Sequence, residues 1–189
     1  VLGAVEARIR EAQPADGPPD AVVVVGRGSS DPDANADLAK VARLLADGRG
    51  LTTAPATADG AAAAAPVLGT IEPAFVSLSR PGVPEALERC RRLGARRIAV
   101  VPYFLCTGRL VVRLAEEARA WAAEHPDVEV TVGGHIGVDE RVVALAWSRY
   151  DEARGVDVTM NCDACLYRVA LPGYERRVGT PVPRPSPVR

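Results

Sequence analysis

Three groups of residues have types and spacing that could do chemistry. The run Gly26-Arg27-Gly28-Ser29-Ser30 follows a block of valines and precedes a helical pattern opened by Asp33. A glycine-rich turn between a buried strand and a helix N-terminus presents backbone N–H groups and the positive end of the helix dipole, a setting for a carboxylate or phosphate. It lacks the Gly-Lys-Ser/Thr end of a Walker loop and does not complete the six-residue dinucleotide fingerprint; the plain alternative is a tight turn and nothing more. Cys162 and Cys165 form a Cys-x-x-Cys pair, which can share a metal or cluster, form a redox disulfide or remain inert. His135, in Gly133-Gly134-His135-Ile136-Gly137, is either a solvent-facing or helix-capping residue or a proton-accepting, metal-contacting group, since neutral imidazole can do both. His125, in Glu124-His125-Pro126, reads as a helix-end residue interacting with the dipole. Cys90 and Cys106 read as buried small hydrophobes.

Elements must hold these groups in place. Ala21-Val22-Val23-Val24-Val25 is too apolar for one face of an exposed sheet and predicts a central parallel strand. Ala74–Leu78, Ile98–Val101 and Val128–Val132 predict three more strands. The intervening helices carry Leu38, Val41, Leu44 and Leu45, then Val83, Leu87, Cys90 and Leu93 stopped by Gly94, then Leu110 to Trp121; a last helix spans Val142 to Tyr150. Strict alternation implies an α/β fold: a three-layer domain with a four-stranded parallel sheet, right-handed crossovers and helices on both faces. In such open sheets ligands bind beyond the carboxyl ends of the strands, so the loops to read are Gly26–Asp33, Ser79–Pro84, Pro102–Arg109 and Gly133–Asp139.

The expected organisation is a helix over 1–14 trailing from an upstream segment, an α/β domain over 21–155 with a low-complexity alanine-rich surface insertion at 52–70, and a tail over 156–189 holding the cysteine pair. The 189 residues suffice for one sizeable core. Lys and Arg number 23 against 24 Asp and Glu, so the net field gives no reason to expect nucleic acid or an anionic membrane as partner. No apolar run approaches the ~18 residues of a membrane span. The cysteines do not form a secreted disulfide framework, which places the protein in a reducing cytoplasm. The chain starts at Val1 without a leader, and the expectation is a cut or processed piece.

Taken together, Gly26–Asn35, Pro102-Tyr103-Phe104-Leu105-Cys106-Thr107-Gly108-Arg109-Leu110 and Met160-Asn161-Cys162-Asp163-Ala164-Cys165 resemble the sirohydrochlorin chelatases of the CbiX type, over residues 21–179. The resemblance implies a chelatase-like (flavodoxin-like) fold and an ATP-independent lyase of siroheme or cobalamin synthesis. Such an enzyme inserts cobalt(II) or iron(II) into a tetrapyrrole bearing many carboxylates. It also implies a [4Fe–4S] cluster at Cys162 and Cys165, completed by ligands from elsewhere.

The family's first loop reads Gly-His-Gly-Ser and a second histidine follows the third strand; this sequence has Arg27 at the first and Leu110, preceded by Arg109, near the second. A guanidinium has no free lone pair for a metal or a proton, but it binds carboxylates through charge-assisted hydrogen bonds. The resemblance thus makes Arg27, Gly28, Ser29, Ser30, Asn35 and Arg109 substrate-binding candidates and Cys162 and Cys165 the metal ligands, while His135, the only histidine on a strand-end loop, is the catalytic candidate. The chain is then expected to be the C-terminal, substrate-holding half of a long two-copy chelatase, partnered by an N-terminal half or by a second copy in a homo-oligomer. The competing readings are a non-catalytic tetrapyrrole-binding or dimerisation module and an iron–sulfur or redox protein.

Overall fold

A computed structural model describes residues 1–14, 17–47 and 70–154. Four strands, β1 (Ala21–Gly26), β2 (Thr70–Phe75), β3 (Arg97–Pro102) and β4 (Glu129–Val132), pair in the order β2-β1-β3-β4, all parallel. Five helices accompany them: α1 (Leu2–Glu11), α2 (Pro32–Ala46), α3 (Val83–Arg92), α4 (Arg109–Glu124) and α5 (Glu140–Arg154).

Every residue of β1 is buried, as a central strand covered on both faces requires. Side chains alternate along a strand. Ala21, Val23 and Val25 accordingly join Val83, Ala86, Leu87 and Cys90 of α3 and Leu114, Ala118 and Trp121 of α4 in one cluster. Val22 and Val24 face the other layer, where α1 buries Ala4, Val5 and Ile9 and α2 buries Leu38, Ala42 and Leu45. The helix ends follow local chemistry. Asp31 caps α2 by accepting from the backbone N–H of Asp33 at 3.0 Å, with Pro32 in the first turn. Gly94, at φ +98°, closes α3 in a conformation that favours glycine.

One expectation needs correction. The second strand runs Thr70–Phe75, not Ala74–Leu78, because β2 is the edge strand and an edge tolerates Pro73 inside it. Pro73 lies opposite Val24 of β1, and only the start of the apolar run Ala74–Leu78 belongs to the sheet. The chain forms two compact units, Val1–Asp139, which includes α1 packed on β3, and Glu140–Arg189, which includes α5. The 52–69 stretch and the 156–189 tail lie outside the described residues.

In the second unit, α5 holds a small aromatic cluster of its own. Trp147 meets Tyr150 edge-on at 5.7 Å, and the Arg154 guanidinium lies 5.6 Å from the Tyr150 ring centre.

Candidate functional site

The sheet order fixes where the site must be. From β1 the chain crosses to β2 on one side, then from β2 back past β1 to β3 on the other, so the loops leaving β1 and β3 diverge from neighbouring strand ends. Adjacent strands lie about 5 Å apart. The Gly26–Asp31 and Tyr103–Gly108 loops therefore start side by side on the carboxyl edge.

The first loop is held from two directions. Asn35, in α2, accepts from the Ser29 backbone N–H through Oδ1 at 2.9 Å and donates from Nδ2 to the Ser29 carbonyl at 2.8 Å. The Ser29 hydroxyl accepts from the Asp31 N–H at 3.0 Å. On the other flank, Val76 and Ser77 donate their N–H groups to the carbonyls of Gly26 and Arg27 at 3.0 and 2.9 Å, tying the ends of β1 and β2 together. Gly28 sits at φ +87°, where a β-carbon would lie 1.8 Å from the Ser77 carbonyl oxygen, so only glycine fits. This frame leaves the Arg27 side chain exposed.

After β3, the Tyr103 N–H reaches the Val25 carbonyl at 2.7 Å, and Phe104 packs against the core cluster. Leu105 through Arg109 are exposed, and Arg109 opens α4 behind Gly108. Arg27 and Arg109 have no carboxylate partner among the described residues. Arg80 and Arg113, by contrast, are paired with Glu85 at 2.5 Å and Glu117 at 2.8 Å. Burial, together with the negative charge of Asp37 on α2, raises the pKa of Tyr103, so its phenol stays a neutral hydrogen-bond donor.

His135 follows β4 and is half-buried; its neighbour Ile136 is buried and donates its N–H to the Phe104 carbonyl at 2.8 Å, which links this loop to the one after β3. The expected residues thus fall on one edge: Arg27, Gly28, Ser29, Ser30 and Asn35 around the β1 loop, Arg109 after β3, His135 after β4. Ser29 and Asn35 are in direct contact. Cys162 and Cys165 lie outside the described residues.

The remaining cysteines and the second histidine separate. Cys90 is fully buried, and burial pushes its thiol up to about 12. Cys106 is exposed, contrary to expectation, because the chain has already left the sheet at Pro102 and of the run after it only Phe104 packs on the core. His125 ends α4 as expected: its ring stacks on Trp121 at 4.0 Å and Nδ1 lies 2.8 Å from the Trp121 carbonyl oxygen, one of the last of the helix. Among the described residues no group of three or more His, Cys, Asp or Glu side chains is placed to hold a metal ion, and no helix is long and apolar enough to cross a membrane.

One feature of the edge had no assignment from sequence. A groove of about 580 Å³ runs past the end of β2, lined by Ser77, Leu78, Arg80 and, from α4, Arg113 and Glu117. The loop Ser79–Pro84 was recognisable as a strand-end loop, but the approach of α4 to it is tertiary.

Comparison with known proteins identifies the lineage. The CbiX family model matches residues 21–153. The chain belongs to the CbiX family. It is 34% identical to a sirohydrochlorin cobaltochelatase of Priestia megaterium over 151 residues, 80% of this chain and 44% of that protein. A sirohydrochlorin ferrochelatase of Bacillus subtilis is 34% identical over 93 residues, 45% of this chain and 36% of that protein. The chain thus spans less than half the length of these curated relatives. Among solved structures, SirB of Bacillus subtilis with Fe3+ superposes with a TM-score of 0.55 at 25% identity, covering 80% of this chain and 52% of SirB. The cobalt complex of a sirohydrochlorin chelatase SirB gives 0.54 at 27%, covering 71% and 50%. The α/β fold read from the sequence is the fold of these chelatases.

Proposed function

We propose that this CbiX chain holds a sirohydrochlorin-type tetrapyrrole on the carboxyl edge of its sheet during ATP-independent insertion of cobalt(II) or iron(II). The observation that carries this reading is the pair of exposed arginines without carboxylate partners among the described residues, Arg27 on the loop that leaves β1 and Arg109 where the loop that leaves the adjacent strand β3 enters α4. A polycarboxylate macrocycle supplies the missing partners, and charge-assisted hydrogen bonds from a guanidinium fork suit carboxylates. The activities named for the curated relatives, on the same substrate with cobalt or iron, support the same choice.

In this reading Gly28 lets the loop after β1 close on the Ser77 carbonyl, Asn35 fixes the Ser29 peptide beside it, and Tyr103 donates a neutral hydroxyl. Metal insertion releases two pyrrole protons as the metal–nitrogen bonds form. His135, the only imidazole on this edge among the described residues, accepts one. The remaining proton-accepting and metal-presenting groups come from a second chelatase lobe, either an N-terminal half or another copy of the chain.

Anaerobic absorbance titration of the chain with sirohydrochlorin, followed by cobalt(II), tests the proposal. The expected result is a binding shift, about 10-fold weaker in each of Arg27→Ala and Arg109→Ala with thermal midpoints unchanged. Metallation by this chain alone should run no faster than the protein-free control. Full affinity in both variants would remove the arginines from the site, and fast metallation by the lone chain would remove the need for a second lobe.

A further inference from the structure

The exposed apolar side chains of the first unit are unevenly placed. Among its described residues six large ones are exposed, Val1, Leu78, Leu93, Leu105, Val112 and Val138. Four of these lie at the carboxyl edge: Leu78 after β2, Leu105 after β3, Val112 in the first turns of α4 and Val138 after β4. Single exposed apolar residues are ordinary on a protein surface. Leu78 differs because its backbone also opposes its presence. It is the only non-glycine residue at positive φ among the described residues, at +60°, and it is 66% exposed.

The cause is a three-residue turn in which the Ser79 N–H donates to the Ser77 carbonyl at 2.7 Å across Leu78. Glycine or asparagine would hold this turn with less strain, and folding gains little from a leucine side chain standing in water. The turn is also joined to the candidate binding loop. The Ser77 carbonyl is the group that a β-carbon on Gly28 would strike, and the Ser77 N–H bonds the Arg27 carbonyl. Leu78 therefore projects from a rigid two-loop frame that also carries Arg27, and it lines the groove beside Arg80.

We propose that Leu78 is a positioning residue held out on this turn to lie against the apolar face of the bound macrocycle, while the Arg27 guanidinium beside it takes a rim carboxylate. The inference rests on the function proposed above and assigns it a second contact chemistry. The occupant follows from complementarity: a flat conjugated ring edged with carboxylates matches an edge that sets exposed leucine and valine together with Arg27 and Arg109, which have no carboxylate partner among the described residues. The same frame fixes both contacts, so ring and rim are read in one register.

The test is sirohydrochlorin titration of the whole chain as wild type, Leu78→Gly, Leu78→Met and Leu93→Ala, with thermal melting of each. Leu93 is equally exposed but stands at the far end of α3. Glycine relieves the turn, so Leu78→Gly should melt at the wild-type temperature or above it while binding sirohydrochlorin about 10-fold more weakly. Leu78→Met should keep affinity within about twofold, and Leu93→Ala should match wild type. Wild-type affinity in Leu78→Gly, with Arg27→Ala still weakened, would overturn this inference and leave the proposed function standing. A change of oligomeric mass in Leu78→Gly without loss of binding would assign the residue to a protein contact instead, and also overturn it. Absence of any binding shift in wild type would overturn the proposed function and this inference with it.

Discussion

The two edges of the sheet treat their polar groups in opposite ways. At the amino edge Asp20, just before β1, accepts the backbone N–H groups of Arg96 and Arg97 at 2.9 Å each and pairs with the Arg97 guanidinium at 2.6 Å. Its own N–H returns to the Arg97 carbonyl at 2.8 Å, and nearby Arg91 pairs with Asp127 at 3.1 Å. At the carboxyl edge the backbone is pinned as firmly, through Asn35, Gly28 and Ser77, yet among the described residues Arg27 and Arg109 are left without acids and Leu78 stands in solvent. The Asp20–Arg97 pair joins strands at one edge. In the proposed function Arg27 and Arg109, without acids among the described residues, are binding capacity at the other, since a guanidinium already paired with a carboxylate must give it up before binding a ligand.

Substitutions in the two frames sharpen this contrast. Gly28→Ala should have the largest effect, because the added carbon meets a backbone carbonyl at 1.8 Å and the φ of +87° disfavours any side chain. A loss of about 3 kcal/mol in urea unfolding, with loss of sirohydrochlorin binding, is expected; a stable protein would show that the two loops can part without cost. Asp20→Ala should lose about 1–2 kcal/mol, since the partly exposed pair is screened and the two backbone hydrogen bonds carry most of the effect, while tetrapyrrole binding stays intact.

Asp20 also sets a pH dependence. The hydrogen bond from Arg97 holds its carboxyl below the ordinary 3.8 against the opposing effect of burial. A group lowered on folding stabilises fully above its unfolded pKa, and that contribution is lost as pH falls below 3.8 through the lowered folded value. Wild type should therefore lose stability relative to Asp20→Ala in that window, as acid titration of the unfolding midpoint would show. The smallest effect is expected for Asn35→Ala, about 1 kcal/mol for the two hydrogen bonds to Ser29. Its affinity loss should exceed its stability loss if that peptide faces the substrate. Equal losses would make Asn35 a structural brace only.

Much of this was legible in the chain. The valine run marked β1 as a central strand, Asp33 the start of α2 to within one residue, and the resemblance singled out Arg27 and Arg109, which have no acid partners among the described residues. The second strand was misplaced because Pro73 reads as a breaker unless the strand is known to be an edge, and edge position is a property of the sheet. Cys106 was misjudged for a similar reason: an apolar-looking run gives no sign of where the chain leaves the sheet. Leu78 drew no notice beyond its place in an apolar run, because positive φ in a leucine has no sequence signature.

By itself the sequence determined the alternation of strand and helix, the family and the residue types offered to a ligand, since these depend on local periodicity and side-chain chemistry. Tertiary packing alone sets which arginines lack acids among the described residues, locks two loops backbone to backbone through Gly28 and Ser77, and holds a leucine out beside them. Those outcomes depend on the order β2-β1-β3-β4, which sets the end of β1 at Gly26 opposite the end of β2 at Phe75 although the two are 49 positions apart in the chain, and no local pattern encodes an approach over that distance.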